Sequence, residues 1–458
     1  MAPGAAAGGR PDRMSTAPTR TLVVGSGARE HALAWKLAGE PGMNEVVVAP
    51  GSTAIAAEHR VRCLPEVDPL DPPAVVAAAR GMSAELVVIG PEAPLAAGVA
   101  DALQDEGIRV FGPRRAAARI ETSKAFCHEL AEAAGVRMAR ARAFQADEGV
   151  AARAYVAELG AGGSGVVLKQ DGLAAGKGVT VYDDVGLALD HVAAYLDGHG
   201  EGPVLVVEER LRGREASVIA ICDGRDAVAL PASRDHKRLC DGDLGPNTGG
   251  MGAYSPLPDL SDEDVDGIVE RMHRPILAEL ARRGTPFVGF LYVGLMLTDD
   301  GPVLLECNAR LGDPEAQVIM PRLATALGPV LAAAAAQRLA ETALAGRLPV
   351  FPGAAVGIVL AAAGYPGTPK RGLPIEGLDA AADAGALVFH GGSIGRPGGG
   401  YGTSGGRVLT VVGRGPDLAS ARETAERGAD LISWDGLQRR HDIAASLPPA
   451  RAAVGSAP

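Results

Sequence analysis

The chain has 458 residues, of which 47% are hydrophobic and 22% charged, and a formal net charge of −11. That length exceeds one ordinary core and predicts about two to four domains in a globular protein. The acidic balance argues against a nucleic-acid or anionic-membrane partner, which needs clustered basic charge, but not against a small anionic substrate held in a local basic pocket.

Aromatic residues make up only 3%, so the core is expected to be aliphatic. Cys63, Cys127, Cys222, Cys240 and Cys307 are odd in number and form no C-x-x-C pair. They read as reduced thiols of a cytoplasmic protein rather than a disulfide framework or a zinc site. No apolar run of about 18 residues predicts a membrane span. Residues 1–20 lack an apolar signal core; they read as a disordered extension, with a start at Met14.

Residues 21–121 alternate buried strands ("TLVVGSG", "EVVVAPG", "ELVVIGPE", "IRVFGP") with helical stretches ("REHALAWKLA", "PPAVVAAAR", "LAAGVADALQDEG"). This βαβ series predicts a parallel sheet covered on both faces. A helix over 122–135 follows, capped by Thr122 or Ser123. Next comes a smaller α/β unit: helix 148–159, strand "GVVLKQ", the loop "DGLAAGKG", strand "GVTVY", helix 185–197 and strand "PVLVVEER". "EASVIAICDG" and "RDAVALPAS" predict an antiparallel pair turning at Asp223-Gly224. Residues 234–256 form a long polar, glycine-rich segment. Helix 262–283 leads to a hairpin, "FVGFLYVGLMLTDDGPVLLECNARLG", turning at Asp300-Gly301. Beyond a helical stretch to about 346, three strands and a helix near 417–432 predict a last α/β unit.

Four constellations could carry chemistry. Gly25 and Gly27 stand between a strand and a helix, as in a dinucleotide fingerprint, but Glu30 replaces the third glycine and no acid ends the second strand. Nicotinamide binding is therefore poorly supported; a phosphate at the helix N-terminus and a plain tight turn both stay open. "DGLAAGKGVT" fails the P-loop pattern, since Gly172 and Gly176 are too close and Gly178 follows Lys177. Its glycines allow close backbone approach to phosphate, and Lys124, Lys169 and Lys177 offer positive charge to a triphosphate. In "VLLECNARLG", strand alternation puts Glu306, Asn308 and Arg310 on one face and Leu305, Cys307, Ala309 and Leu311 on the other. Hard oxygen donors of the first kind suit Mg²⁺ completed by substrate phosphates, unless that face is merely solvated. Last, Asp235, His236, Lys237 and Arg238 precede "GPNTGGMGAYSP", a binding loop or a linker. None of the nine histidines has a partner at zinc-ligand spacing.

"GSGAREHALAWKL", "IGPEAPLAAGV", "SKAF", "KQDGLAAGKGV", "DHKR", "GPNTGGMGAYSP", "ECNARLGDPE" and "GGRVLTVVG" occur in an order that resembles the phosphoribosylamine–glycine ligase family of the ATP-grasp superfamily. The resemblance covers about residues 21–445. It implies an α/β protein of ATP-grasp fold. An N-terminal parallel, Rossmann-like domain would span 21–121, an ATP-grasp domain 122–345 with a lid at about 137–207, and a small C-terminal α/β domain 346–445, with a tail 446–458. It implies ATP as substrate and Mg²⁺ or Mn²⁺ on Glu306 and Asn308. Lys124, Lys169, Gly172, Gly176, Lys177 and Gly178 would meet the phosphates. Glu208, Glu209, Leu211 and Glu215 would lie near adenine and ribose. Glycine and phosphoribosylamine would meet Arg310, Asp235, Lys237, Asn247, Thr248, Gly249 and Gly250, with Gly25, Gly27 and Arg29 at the ribose phosphate. Arg310, Asp235 and Lys177 are the candidate catalytic residues. A monomer acting on small molecules is expected. Departures are "PGSTAI" after the second strand, Gln170 where Ala is common and Arg234 where Gln is common.

Overall fold

The computed structural model describes residues 17–173, 178–196, 204–344 and 346–447. The N-terminal βαβ series forms a five-stranded parallel sheet in the order Val61–Cys63, Glu45–Pro50, Arg20–Gly25, Leu86–Ile89, Val110–Phe111. Its strand centres are apolar because helices cover both faces: Leu22, Val23 and Val24 are fully buried. The stretch "LAAGVADALQDEG" is not one helix. Gly98 at φ +87° separates Glu92–Ala97 from Val99–Asp105.

The helix expected at 122–135 is present as Lys124–Ala133, and a further helix precedes it. Arg115–Thr122 ends at Ser123, whose hydroxyl accepts from the Phe126 N–H and caps Lys124–Ala133. The smaller unit is an antiparallel sheet, Ala141–Phe144, Leu205–Glu209, Val166–Gln170, Val179–Tyr182, beneath Gly149–Gly160 and Val185–Leu196. Phe144, Val156, Leu168, Val192 and Leu205 give it a core of its own.

The main antiparallel sheet runs Ala227–Ala229, Arg214–Asp223, Val288–Thr298, Gly301–Asn308. The hairpin turn is Asp299-Asp300, one residue earlier than expected, because Gly301 already pairs with Thr298. Strict alternation along the last strand also fails. Gly294 pairs with Glu306 and Leu295 with Leu304, so Leu305 is an extra, bulged residue off the apolar face. Cys307, Ala309 and Leu311 remain buried there, as alternation requires. The helix expected at 262–283 contains a π-helical turn, Val269–His273, between Asp262–Ile268 and Arg274–Arg282.

The polar segment 234–256 is not a loop. It holds strands Arg234–Asp235, Arg238–Cys240, Leu244–Asn247 and Gly252–Ser255. The first and last join Ala354–Ala361, Arg407–Gly415 and Leu387–His390 in one sheet, packed on helix Leu418–Leu431. No helix among the described residues is long and apolar enough to cross a membrane.

Candidate active site

Lys169, at the end of Val166–Gln170, turns inward. Its Nζ lies 2.8 Å from Glu208 Oε2 and donates to the carbonyl of the bulged Leu305 at 2.9 Å. His128 Nε2 meets the other Glu208 oxygen at 2.6 Å. Burial opposes the charge of Glu208, but Lys169 and His128 outweigh it and hold the carboxyl below its usual range. Glu209 faces out and pairs with Arg140 at 2.9 Å; Leu211 is half-buried just beyond it. Lys124, in the first helical turn, donates from Nζ to the Gly172 carbonyl at 2.8 Å. Asp171 accepts from the Lys124 N–H at 2.5 Å and from the Ser123 hydroxyl at 3.0 Å, tying the start of the glycine loop to a helix N-terminus. Gly172 has φ +90°, and the Gly178 carbonyl accepts from the Gln170 N–H at 2.7 Å. Gly176 and Lys177 lie outside the described residues.

Glu306 and Asn308 both stand on the last hairpin strand, and Glu306 faces Lys237. The Lys237 ammonium lies 3.6 Å from Glu306 Oε1 and 3.0 Å from Glu215 Oε2. Lys237 foremost, then Lys169, Arg310 and Lys124, hold Glu306 ionised, at about 2, against burial. Burial works in the opposite sense on Asp235. It raises that carboxyl to about 8, helped by Glu315, Glu215 and Glu306 and opposed by Lys237. No group of three or more His, Cys, Asp or Glu could hold a metal among the described residues. The donor set is thus one ionised carboxylate and one amide oxygen, which fits a hard divalent cation that takes its other ligands from phosphates and water.

Arg310 is gripped by two carboxylates absent from the sequence-derived set. Its Nη2 lies 2.9 Å from Glu121 and its Nε 3.2 Å from Glu92. Glu121 also accepts from the Ala309 N–H at 2.7 Å. Burial opposes the guanidinium charge, and the two carboxylates overcome it. Arg29 lies beside this group, donating to Glu30 at 2.6 Å and to the Leu311 carbonyl at 3.2 Å. Glu30 explains the missing third glycine. Its carboxylate accepts from the Gly27 N–H at 2.7 Å and fills the space at Gly25 and Gly90, where an added Cβ would fall within 2.6 Å and 2.2 Å of it. The helix N-terminus carries its own anion there.

The 247–252 loop closes the arrangement. Thr248 donates from its N–H to the Lys237 carbonyl at 2.7 Å, and its hydroxyl accepts from the Gly250 N–H at 3.0 Å. Gly250, at φ +113°, lies so close to Pro314 that an added Cβ would sit 2.5 Å from its Cδ. Arg407 Nη1 donates to the Gly249 and Asp313 carbonyls, and its Nη2 lies 3.2 Å from the Asp313 carboxylate. Tyr365 accepts from the Gly249 N–H at 3.0 Å.

Comparison with known proteins accounts for this convergence. Three family models match in succession: the phosphoribosylglycinamide synthetase N domain over 19–121, its ATP-grasp (A) domain over 122–316 and its C domain over 355–446. The chain is 48% identical to a phosphoribosylamine–glycine ligase of Streptomyces coelicolor, across 93% of this chain and 99% of the relative. It is 44% identical to one from Mesorhizobium japonicum, across 92% and 96%. The chain belongs to the phosphoribosylglycinamide synthetase family. A crystal structure of the phosphoribosylamine–glycine ligase of Thermotoga maritima, 32% identical, superposes with TM-score 0.73 over 93% of this chain and all of that one. The biotin carboxylase domain of a Hydrogenobacter thermophilus 2-oxoglutarate carboxylase shares the fold at 16% identity and TM-score 0.65, over 93% of this chain and 92% of that one. Measured against the three phosphoribosylglycinamide synthetase models, the cluster draws on every part. Arg29, Glu92 and Glu121 come from the N match, Lys169, Glu306 and Arg310 from the A match, and Arg407 from the C match. Glu92, Asp313 and Arg407 lay within the recognisable stretches "IGPEAP", "ECNARLGDPE" and "GGRVLTVVG", but nothing local distinguished them from surface charges.

Proposed function

We propose that this protein ligates glycine to 5-phosphoribosylamine with ATP, giving glycinamide ribonucleotide, ADP and phosphate, a step of purine biosynthesis. The observation that carries the reading is an ionised Glu306 set among Lys237, Lys169, Arg310 and Lys124, in a chain whose relatives are named phosphoribosylamine–glycine ligase. A carboxylate is a poor electrophile. Glycine's carboxylate oxygen attacks the γ-phosphorus of ATP, ADP departs, and glycyl phosphate results. The amine of phosphoribosylamine then attacks the acyl carbon, and phosphate leaves. Positioning and charge neutralisation supply the rate.

ATP-grasp enzymes use ATP with a divalent cation. Our finer reading places Mg²⁺ or Mn²⁺ on Glu306 and Asn308, where it would neutralise charge at the phosphate oxygens. Lys124 and Lys169 face the phosphates in this reading. Glu215 and Leu211 lie toward the adenosine, while Glu208 instead anchors Lys169. Asp235, Lys237, Arg310 and the loop 247–250 receive the amino acid and the amine. Arg29, with Gly25 and Gly27, faces the ribose phosphate. The test is ADP formation dependent on both glycine and phosphoribosylamine, with wild type beside Glu306→Ala. The variant is expected to lose more than 100-fold in turnover, the range seen on removing one preorganised charge-stabilising group, and to keep its melting temperature. Full turnover in the variant overturns the metal assignment, and ADP formation without the amine overturns the substrate.

A further inference from the structure

Strands Arg238–Cys240 and Leu244–Asn247 form a two-stranded hairpin that belongs to no larger sheet. Its base lies in the proposed site. Lys237 reaches Glu306, and the Asn247 amide comes within 3.5 Å of the Val179 carbonyl, just past the glycine loop. At its tip Gly242 and Asp243 adopt φ +68° and +54° in succession, free for the glycine but disfavoured for the aspartate. A two-stranded ribbon is marginal by itself, so something else must hold it.

The holder is the segment 440–442, about 200 residues later in the chain. Arg440 is 1% exposed although its partner Asp243 is largely solvated. One guanidinium nitrogen of Arg440 donates to Asp243 Oδ1 at 2.7 Å and to the Arg238 carbonyl at 3.2 Å. Its fork closes on Asp442 at 2.7 and 2.6 Å. Contacts also run backbone to side chain in both directions. Gly242 N–H donates to Asp442 at 2.8 Å, and His441 N–H donates to Asp241 at 2.7 Å. The segment is itself fixed. Gln438 pairs through its backbone with Ala361 at 2.8 and 2.9 Å, and Arg422 donates to the His441 carbonyl at 2.7 Å. The hairpin is therefore referenced at its tip to the sheet whose strands Arg234–Asp235 and Gly252–Ser255 flank it.

We infer that Arg440, through its clamp on the 241–243 tip, is a positioning residue that sets where Lys237 and Asn247 stand in the active site. The inference rests on the reading of those two side chains as site residues. A clamp that served stability alone would be satisfied by any anchoring of the tip. This one instead spans the hairpin, from Asp243 at the tip to the carbonyl of Arg238, the residue next to Lys237, so that a tilt of the ribbon carries straight to the site.

The test compares Arg440→Ala, Arg440→Lys and Asp243→Asn with wild type, by kcat and KM for ATP, glycine and phosphoribosylamine and by melting temperature. Asp243→Asn keeps a residue that tolerates positive φ and removes only the charge. The expected result is a fall of fivefold or more in kcat/KM per folded molecule for Arg440→Ala and Asp243→Asn, with partial recovery in Arg440→Lys. A smaller change, or activity that merely tracks the folded fraction, overturns the inference. Glu306→Ala run alongside separates the two readings. If it retains turnover, the site assignment fails, whatever the hairpin variants do.

Discussion

Lys169→Met is the sharpest perturbation of the site's buried electrostatics. Glu208 is 2% exposed and Lys169 7%, so the variant leaves a buried carboxylate with only His128 to answer it. Breaking a buried pair in this way costs about 3–5 kcal/mol. Protonation limits the loss. Neutralising a carboxyl of ordinary pKa at pH 7 costs about 3 kcal/mol, so the penalty settles near that figure. In a unit of this size that lowers the melting temperature by roughly 6–12 °C. The pH dependence follows from the direction of each shift. In wild type the folded-state pKa of Glu208 lies below the ordinary glutamate value of about 4.3. Its stabilisation is therefore complete above about that pH and is lost as the pH falls further. Without Lys169, burial is the leading influence and raises the pKa, so the variant's deficit appears as the pH rises and shrinks toward pH 5. Thermal melts of both proteins at pH 7 and pH 5 read this directly. Adding Glu208→Leu is expected to restore the melting temperature but not turnover, because the ammonium proposed to meet the phosphates stays absent. A variant melting within 2 °C of wild type at pH 7, or a deficit equal at the two pH values, refutes the argument (each threshold being about half a kcal/mol).

Arg234→Gln is expected to destabilise by about 3 kcal/mol, the lower end for breaking a buried pair. Arg234 donates to Tyr254 at 2.8 Å and to the buried Asp259 at 2.9 Å, leaving only Arg214 for that carboxylate once removed; an unchanged melting temperature would show that Arg214 suffices. His273 is fully buried, and burial pushes its pKa down to about 4. Its neutral form stabilises the fold above the ordinary histidine value of about 6.5, and that contribution is lost as the pH falls toward 4. His273→Leu should flatten the fall in melting temperature across that window, and a slope equal to wild type would count against it.

Local chemistry was enough to read the strands of residues 21–121, the Ser123 cap and the Glu306, Asn308, Arg310 spacing, because hydrophobic period and turn residues act over a few positions. It misjudged 234–256, whose short strands form through pairing across the chain: Gly252–Ser255 on the edge of Ala354–Ala361, Arg234–Asp235 on Gly252–Ser255, and Arg238–Cys240 with Leu244–Asn247. It also missed the bulge at Leu305, which depends on how two strands register rather than on either alone.

The amino-acid sequence thus determined the order of elements and the residue types proposed to meet phosphate and metal. Tertiary structure decided the electrostatic partners: Glu121 and Glu92 on Arg310, Glu208 on Lys169, Arg407 on Asp313, Arg440 on Asp243. The reason is physical. An ion pair's value depends on burial and on a distance of a few ångströms, and residues far apart in the chain acquire both only when its sheets pack together.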